Sequence, residues 1–246
     1  MPTHNLKIGI VGGYISGKAT FLNALLKAPC FSMRSNTHNH IPIAIQRATN
    51  EKLSWEYNDG GKRGWTPSID DIRCSESHHQ IRVKIPCYLW GDTVFHDFPQ
   101  INDITAWERE YISLVKQMDF IISIFDAEYA MSLINKKTID QLSSADDKLI
   151  AIILNKSDVV DNVSDLAGQM GVFFASPEKR CRVFTVSSRL ELQRWCFPEK
   201  RQTTFAFTES RKSVMATCDF AFSDLRAWLY EKIFLSKYNQ ITTTEN

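Results

Sequence analysis

Between Leu6 and Leu26 the chain reads LKIGIVGGYISGKATFLNALL. An apolar, strand-like run feeds Gly12-x4-Gly17-Lys18, and a helical pattern follows at once. In that context the glycines let the backbone curl so that successive N–H groups point into one concavity, and the helix N-terminus adds partial positive charge. Such a loop holds β-phosphate oxygens, with Lys18 as the point charge across the β- and γ-phosphates. A glycine-rich turn that binds nothing is the rival reading, and the strand before it and the helix after it count against that.

The rest of the chain supplies a sheet to carry this loop. Strand-like runs fall at 6–11, 42–47, 53–57, 80–87, 93–98, 120–126, 149–155 and 182–186. Those around 8–11, 120–125 and 149–154 are almost uninterruptedly apolar and rich in Ile and Val, as parallel strands covered on both faces are. Helical patterns at 18–27, 104–118, 130–143 and 163–174 alternate with them. The expected fold is therefore α/β: a three-layer P-loop nucleotide-binding domain with a mostly parallel central sheet, helices on both faces and a C-terminal helix. That last helix is expected at 219–238, from the stripe Phe222, Leu225, Leu229, Ile233 and Phe234, before a frayed polar tail at 239–246. Residues 58–80 read as a long polar excursion, and 189–212 mix charges with isolated aromatics.

The second motif is Asn155-Lys156-Ser157-Asp158, delivered by the apolar run 149–154 at the end of a strand, where open α/β sheets bind ligands. This NKxD set reads guanine. Asp158 accepts from the N1–H and 2-amino donors that adenine lacks, Asn155 bonds to the base edge and the loop, and the Lys156 stem packs on the ring. A site built on such donors rejects a base without them. Ser187-Ser188-Arg189, after the run 182–186, stands where a loop whose backbone supports the guanine is expected; a plain polar turn is the alternative.

Other signals bound the partners. With 29 Lys+Arg against 28 Asp+Glu the formal charge is +1, which gives no electrostatic case for binding nucleic acid or anionic membranes. No apolar run approaches the ~18–20 residues of a membrane span, and no secretory leader pattern is visible. The six cysteines are scattered without a CxxC pair, so they read as free thiols of a cytoplasmic protein. The pairs His38/His40 and His78/His79 lack further ligands at metal spacing and read as solvent-exposed loop histidines.

Taken together, Gly12 to Leu26, the Asp126-Ala127 segment after 120–125 and the NKxD set resemble the GTPase domain of TRAFAC-class G proteins, and more narrowly the bacterial dynamin-like branch. The 79 residues between Lys18 and Asp97 leave room for the extra strands of that branch. The resemblance spans roughly residues 5–190. It implies a G domain over 1–190 with an insertion near 58–80, an extension and packed helix over 191–238, and GTP or GDP as ligand. The implied nucleotide contacts are Gly12, Ile15, Ser16, Gly17, Lys18, Ala19, Thr20, Asn155, Lys156, Asp158, Ser187 and Ser188, with Asp97 holding Mg²⁺ through water.

The departures cluster on catalysis. Ala19 stands where a Ser or Thr hydroxyl ligates Mg²⁺, and Thr20, about 100° further round the helix, does not stand in for it. Ile15 replaces a hydroxyl that helps organise the hydrolytic water. The DxxG motif appears as Asp97-Phe98-Pro99-Gln100, with Gln100 in place of the glycine whose N–H approaches the γ-phosphate. The first-switch threonine has only the stretch 36–40 to occupy, with Thr37 about two residues early. Binding through loop amides, Lys18 and the base contacts survives such losses, while charge neutralisation and water positioning do not. The expectation is a guanine-nucleotide-binding protein with weak or lost hydrolysis, acting as an interaction module through a protein partner or a homodimer across the nucleotide face. Two alternatives stay open: an active GTPase stimulated by dimerisation or a partner's arginine, and a scaffold that has lost nucleotide.

Overall fold

The computed structural model of the protein describes residues 5–13, 15–28, 31, 41–48, 54–59, 62–66, 78–85, 90–143, 148–174, 181–196 and 222–236. Nine strands are described: β1 Lys7–Gly12, β2 Ile43–Arg47, β3 Ser54–Asp59, β4 Lys62–Thr66, β5 His78–Ile85, β6 Val94–Asp97, β7 Phe120–Asp126, β8 Leu149–Asn155 and β9 Arg182–Thr185. The helices are α1 Lys18–Leu26, α2 Ile104–Val115, α3 Leu133–Ser143, α4 Val163–Phe174 and α5 Ser188–Cys196, followed by α6 over 222–236.

The strands form one sheet in the order β4-β3-β5-β2-β6-β1-β7-β8-β9. From β6 through β9 every neighbour runs parallel, whereas β2 meets β6 antiparallel and β3 is antiparallel to both β4 and β5. The sheet is thus mostly parallel, as expected, with a mixed extension at one edge in which β2 pairs parallel with β5. Part of that extension lies in the stretch 58–80, expected to be a polar excursion. Asp59 pairs with Lys62, and Gly60-Gly61 between them is the signature of a two-residue hairpin. A polar edge hairpin lacks the apolar alternation that marks a half-buried strand, which is why β4 escaped the pattern. Residues 67–77 lie outside the described set.

Two apolar layers sandwich the sheet. On one face α1, α5 and α6 bury Phe21, Leu22, Leu25, Leu192, Phe222, Leu225 and Leu229 against Ile8, Ile10, Ile122 and Ile153. On the other, α2, α3 and α4 bury Trp107, Tyr111, Val115, Leu142 and Met170 against Val11, Ile121, Phe125, Ile152 and Leu154. Strands β7 and β8 feed both layers, which explains their continuous apolarity. Residues 188–196 form helix α5, although the sequence there shows no clear apolar stripe. Its inner face is held partly by charge. Buried Glu191 accepts from Arg226 of α6 at 2.7 Å and from Trp195 Nε1 at 2.7 Å, while Arg226 also donates to the Ala24 carbonyl at 2.6 Å.

Register brings the C-terminal ends of the parallel strands to one edge. Ile10 faces Asp97, Gly12 faces Ile124, and Asp126 faces Asn155.

Candidate nucleotide-binding site

At that edge β1 releases the chain into the phosphate loop. A Cβ on Gly12 would fall 2.6 Å from the Ile124 carbonyl oxygen and 2.8 Å from Ser16 Oγ, so only glycine fits. Gly17 has φ +81°, and a Cβ there would meet Asn155 Nδ2 at 2.5 Å. Ile15 adopts φ 58°, a conformation costly for a β-branched residue, and is 58% exposed. It therefore does not fill the loop; Tyr14 lies outside the described residues. Helix α1 starts from Gly17 with no side-chain cap, so its first N–H groups have no side-chain acceptor and the positive helix end faces the loop. Ser16 Oγ is buried with no hydrogen-bond partner among the described residues.

Lys18 is buried, and desolvation lowers its pKa while Asp97 raises it. Asp97, at the end of β6, is pushed up to about 6 by desolvation, with Lys18 pulling it back down. Its Oδ1 and Gln100 Oε1 are buried without partners among the described residues. The segment after β6 is pinned beside the loop, since Phe98 N donates to Ile10 O at 3.0 Å and Ile101 N to Gly12 O at 3.1 Å. Gln100 has no positive φ, so its backbone conformation does not demand glycine. A glycine cradle, a buried lysine, an uncapped helix and an orphaned hydroxyl suit a phosphate. For magnesium the described residues offer little: position 19 carries a methyl group, and Asp97 is the carboxylate that faces Lys18 among them. Among the described residues no group of three His, Cys, Asp or Glu gathers as a metal cluster. The first-switch stretch 36–40 lies outside the described residues, as do His38 and His40.

The guanine motif is braced against the loop. Asn155, 2% exposed, donates from Nδ2 to the Ser16 carbonyl at 2.9 Å, and its Oδ1 accepts from Ser188 N at 3.1 Å and Ser188 Oγ at 2.6 Å. Both ends of its amide are thus engaged within the protein, so it joins the two loops rather than offering itself to a base edge. Lys156, at φ 61°, donates to Asp126 Oδ2 at 2.6 Å, and its Cε would lie 3.9 Å from a Cβ on Gly17. Asp158 accepts from Ser187 Oγ at 2.6 Å and from Arg189 Nη2 at 2.8 Å. Ser157 N and Val186 N tie the Asn155–Asp158 turn to the Ser187-Ser188 turn through Val186 O and Leu154 O. Ala19 and Thr20 open α1 half-buried. The expected site residues accordingly converge on one edge.

Three side chains make contacts that their sequence positions did not disclose. Asp126 anchors Lys156, and Arg189 covers Asp158. Asn23, buried in α1, exchanges two bonds of 2.9 Å with the backbone of Phe31 and fixes how the chain leaves the helix. Their partners are 30, 31 and 8 residues away, so the motifs that contain Asp126 and Arg189 did not disclose which side chains these two would hold.

No protein-family profile matches the sequence, and no curated protein matches it. Solved structures do. Two chains described under "An oligomerised bacterial dynamin pair provides a mechanism for the long-range sensing and tethering of membranes" superpose on 99% of this chain, with TM-scores of 0.63 and 0.62 at 15% and 12% identity. The chain shares the fold of those two bacterial dynamin structures. The chain spans 49% and 44% of the length of those two structures. A third, described as a probable GTP-binding protein engB, has a TM-score of 0.46 over 80% of this chain at 13% identity. Strands β2 to β5 occupy the interval between Lys18 and Asp97, where the sequence left room for strands.

Proposed function

We propose that this chain binds GTP or GDP, hydrolyses GTP weakly or not at all, and works as a nucleotide-stabilised interaction module in the cytoplasm. The observation that carries the reading is the Asn155 bond to the Ser16 carbonyl, which joins the base-reading turn to the phosphate loop. A diphosphate would be held by Gly12, Ser16, Gly17, Lys18 and the N–H groups that open α1 at Ala19 and Thr20. The base would be read by Asp158, with Lys156, Ser187 and Ser188 shaping its pocket. Magnesium, when bound, supplies charge neutralisation to phosphoryl transfer; with Ala19, Ile15 and Gln100 at their positions, the protein does little to hold it or a hydrolytic water. Residues 1–190 would form the nucleotide-binding unit, with 191–238 packed upon it.

A ligand that binds only the folded chain stabilises it by RT ln(1 + [L]/Kd), about 2.7 kcal/mol at a hundredfold excess over Kd. Thermal unfolding should therefore rise with GDP and GTP and stay put with ATP. No shift with any guanine nucleotide sinks the reading and favours the nucleotide-free scaffold.

One observation favours the active-GTPase alternative. Ile15, Tyr129 and Val159 are exposed large apolar residues in the segments that follow β1, β7 and β8, and exposed Leu133 opens α3 after β7, so they lie on the side of the sheet where the site is. A second copy or a partner seated there would exclude water and could contribute the missing groups. Single-turnover GTP hydrolysis across protein concentrations, with Lys18→Ala as control, separates the readings. A rate that climbs with concentration and vanishes in the control supports stimulation, and rates indistinguishable from the control reject it.

A further inference from the structure

Asp158 carries the guanine selectivity in the reading above, and both of its oxygens are already engaged. Ser187 Oγ donates to Oδ1 at 2.6 Å, Arg189 Nη2 donates to Oδ2 at 2.8 Å, and the Asp158 side chain is left only 8% exposed. Reading guanine takes two donors, N1–H and the 2-amino group, side by side on that carboxylate. The two covering groups differ in how firmly they are held. Ser187 is buried at the start of α5, where its Oγ accepts from Leu190 N at 3.3 Å and its carbonyl from Glu191 N at 3.1 Å. The Arg189 side chain is 63% exposed, and its bond to Asp158 is an ion pair with one arm in solvent. Such pairs are weak and screened by salt. Lys156, the other nearby cation, is committed to Asp126 at 2.6 Å.

We propose that Arg189 is a positioning residue that gates the guanine reader: in the nucleotide-free chain it occupies Asp158 Oδ2, and the base displaces it on binding. This rests on the guanine-nucleotide reading of the site. The gate keeps a nearly buried carboxylate compensated while the site is empty, avoiding the penalty of an unpaired buried charge. It also sharpens selectivity. A base that brings two adjacent donors replaces what Arg189 supplied, whereas one that presents an acceptor there leaves the ion pair in place and finds the reader closed.

The sign of the effect separates the gate from bulk electrostatics. Removing a cation beside an anionic nucleotide ordinarily weakens binding; removing a gate tightens it. The test is calorimetric titration of GDP into the full chain, Arg189→Ala and Arg189→Gln, at low and at high salt. Both variants should bind GDP about two- to fivefold more tightly than the parent at low salt, the scale expected of a partly exposed pair, and the gap should close as salt screens the pair. Equal or weaker GDP binding by the variants overturns the gate while leaving the guanine reading intact, and a gain undiminished at high salt overturns it too. GDP binding by none of the three chains overturns the guanine reading, and the gate with it.

Discussion

At the residue scale, polar groups far apart in sequence hold the site together, and each makes a distinct demand. Asn155 spends both ends of its amide on Ser16 and Ser188, so Asn155→Ala leaves buried groups of both loops unpaired. At roughly 1–3 kcal/mol for a buried group left unsatisfied, the variant should lose about that much stability in urea unfolding and bind GDP at least tenfold more weakly by calorimetry. Asn23→Ala should cost a similar ~1–3 kcal/mol by removing both of its buried bonds to Phe31, again read by urea unfolding. Two half-buried titratable groups on β6 pull in opposite directions. Asp97 ionises at about 6 in the fold against 3.8 outside it, so the native chain holds the extra proton between those values and the Asp97 contribution falls as pH rises from 4 to 6. His96 is held down to about 4 by burial, Lys7 and Arg82, against 6.5; there the unfolded chain holds the extra proton, and the contribution is lost as pH falls from 6.5 to 4. The slopes offset one another in the parent. In Asp97→Asn only the His96 slope survives, so the variant should gain on the parent by ~1–3 kcal/mol between pH 4 and 6, a figure discounted for partial exposure. Urea midpoints across that range check it, and parallel curves for the two chains would contradict it.

At the scale of elements, α6 completes the core. Phe222, Leu225, Leu229 and Ile233 are buried at helical spacing in the same layer as α1 and β1, and four such side chains at ~1.5–3 kcal/mol each rival the 5–15 kcal/mol of a typical domain. Deleting residues 222–246 should leave insoluble or molten protein. Arg226→Met leaves buried Glu191 with its Trp195 and Arg194 donors alone, and should cost about 2–3 kcal/mol, below the 3–5 of a buried charge left wholly unpaired. Differential scanning calorimetry reads both. The same elements show what was legible in the sequence. Strands β7 and β8, apolar on both faces, announced themselves, as did α2, whose Asp103 caps Thr105 N and Ala106 N. The hairpin strand β4 did not, because an edge strand needs no apolar alternation, and α5 did not, because its inner face is held by Glu191 and Arg226 rather than by a stripe of leucines. The site was legible where backbone geometry dictates residue type, at Gly12 and Gly17, and where chemistry does, at Lys18 and Asp158. It was not legible where a side chain far along the chain closes the arrangement, as Asp126 and Arg189 do.

At the scale of the molecule, the fold shared with the bacterial dynamin structures brings a glycine-rich loop, the buried Lys18 and the Asn155–Asp158 turn to one edge of the sheet; under the proposed function that edge is a phosphate cradle and base reader beside weakened positions for magnesium and water. Among the described residues no helix is long and apolar enough to cross a membrane. If the missing hydroxyl limits catalysis, Ala19→Ser should raise single-turnover GTP hydrolysis without changing GDP affinity more than a few-fold; an unchanged rate would place the deficit at Ile15 and Gln100 instead. The central claim is selective guanine-nucleotide binding. Its most direct test is isothermal calorimetry of the full chain with GDP and, separately, ATP. The account predicts one GDP bound per chain at micromolar or tighter affinity, abolished in Asp158→Ala, with no detectable heat from ATP. Equal affinity for ATP, or no binding of GDP, would contradict it.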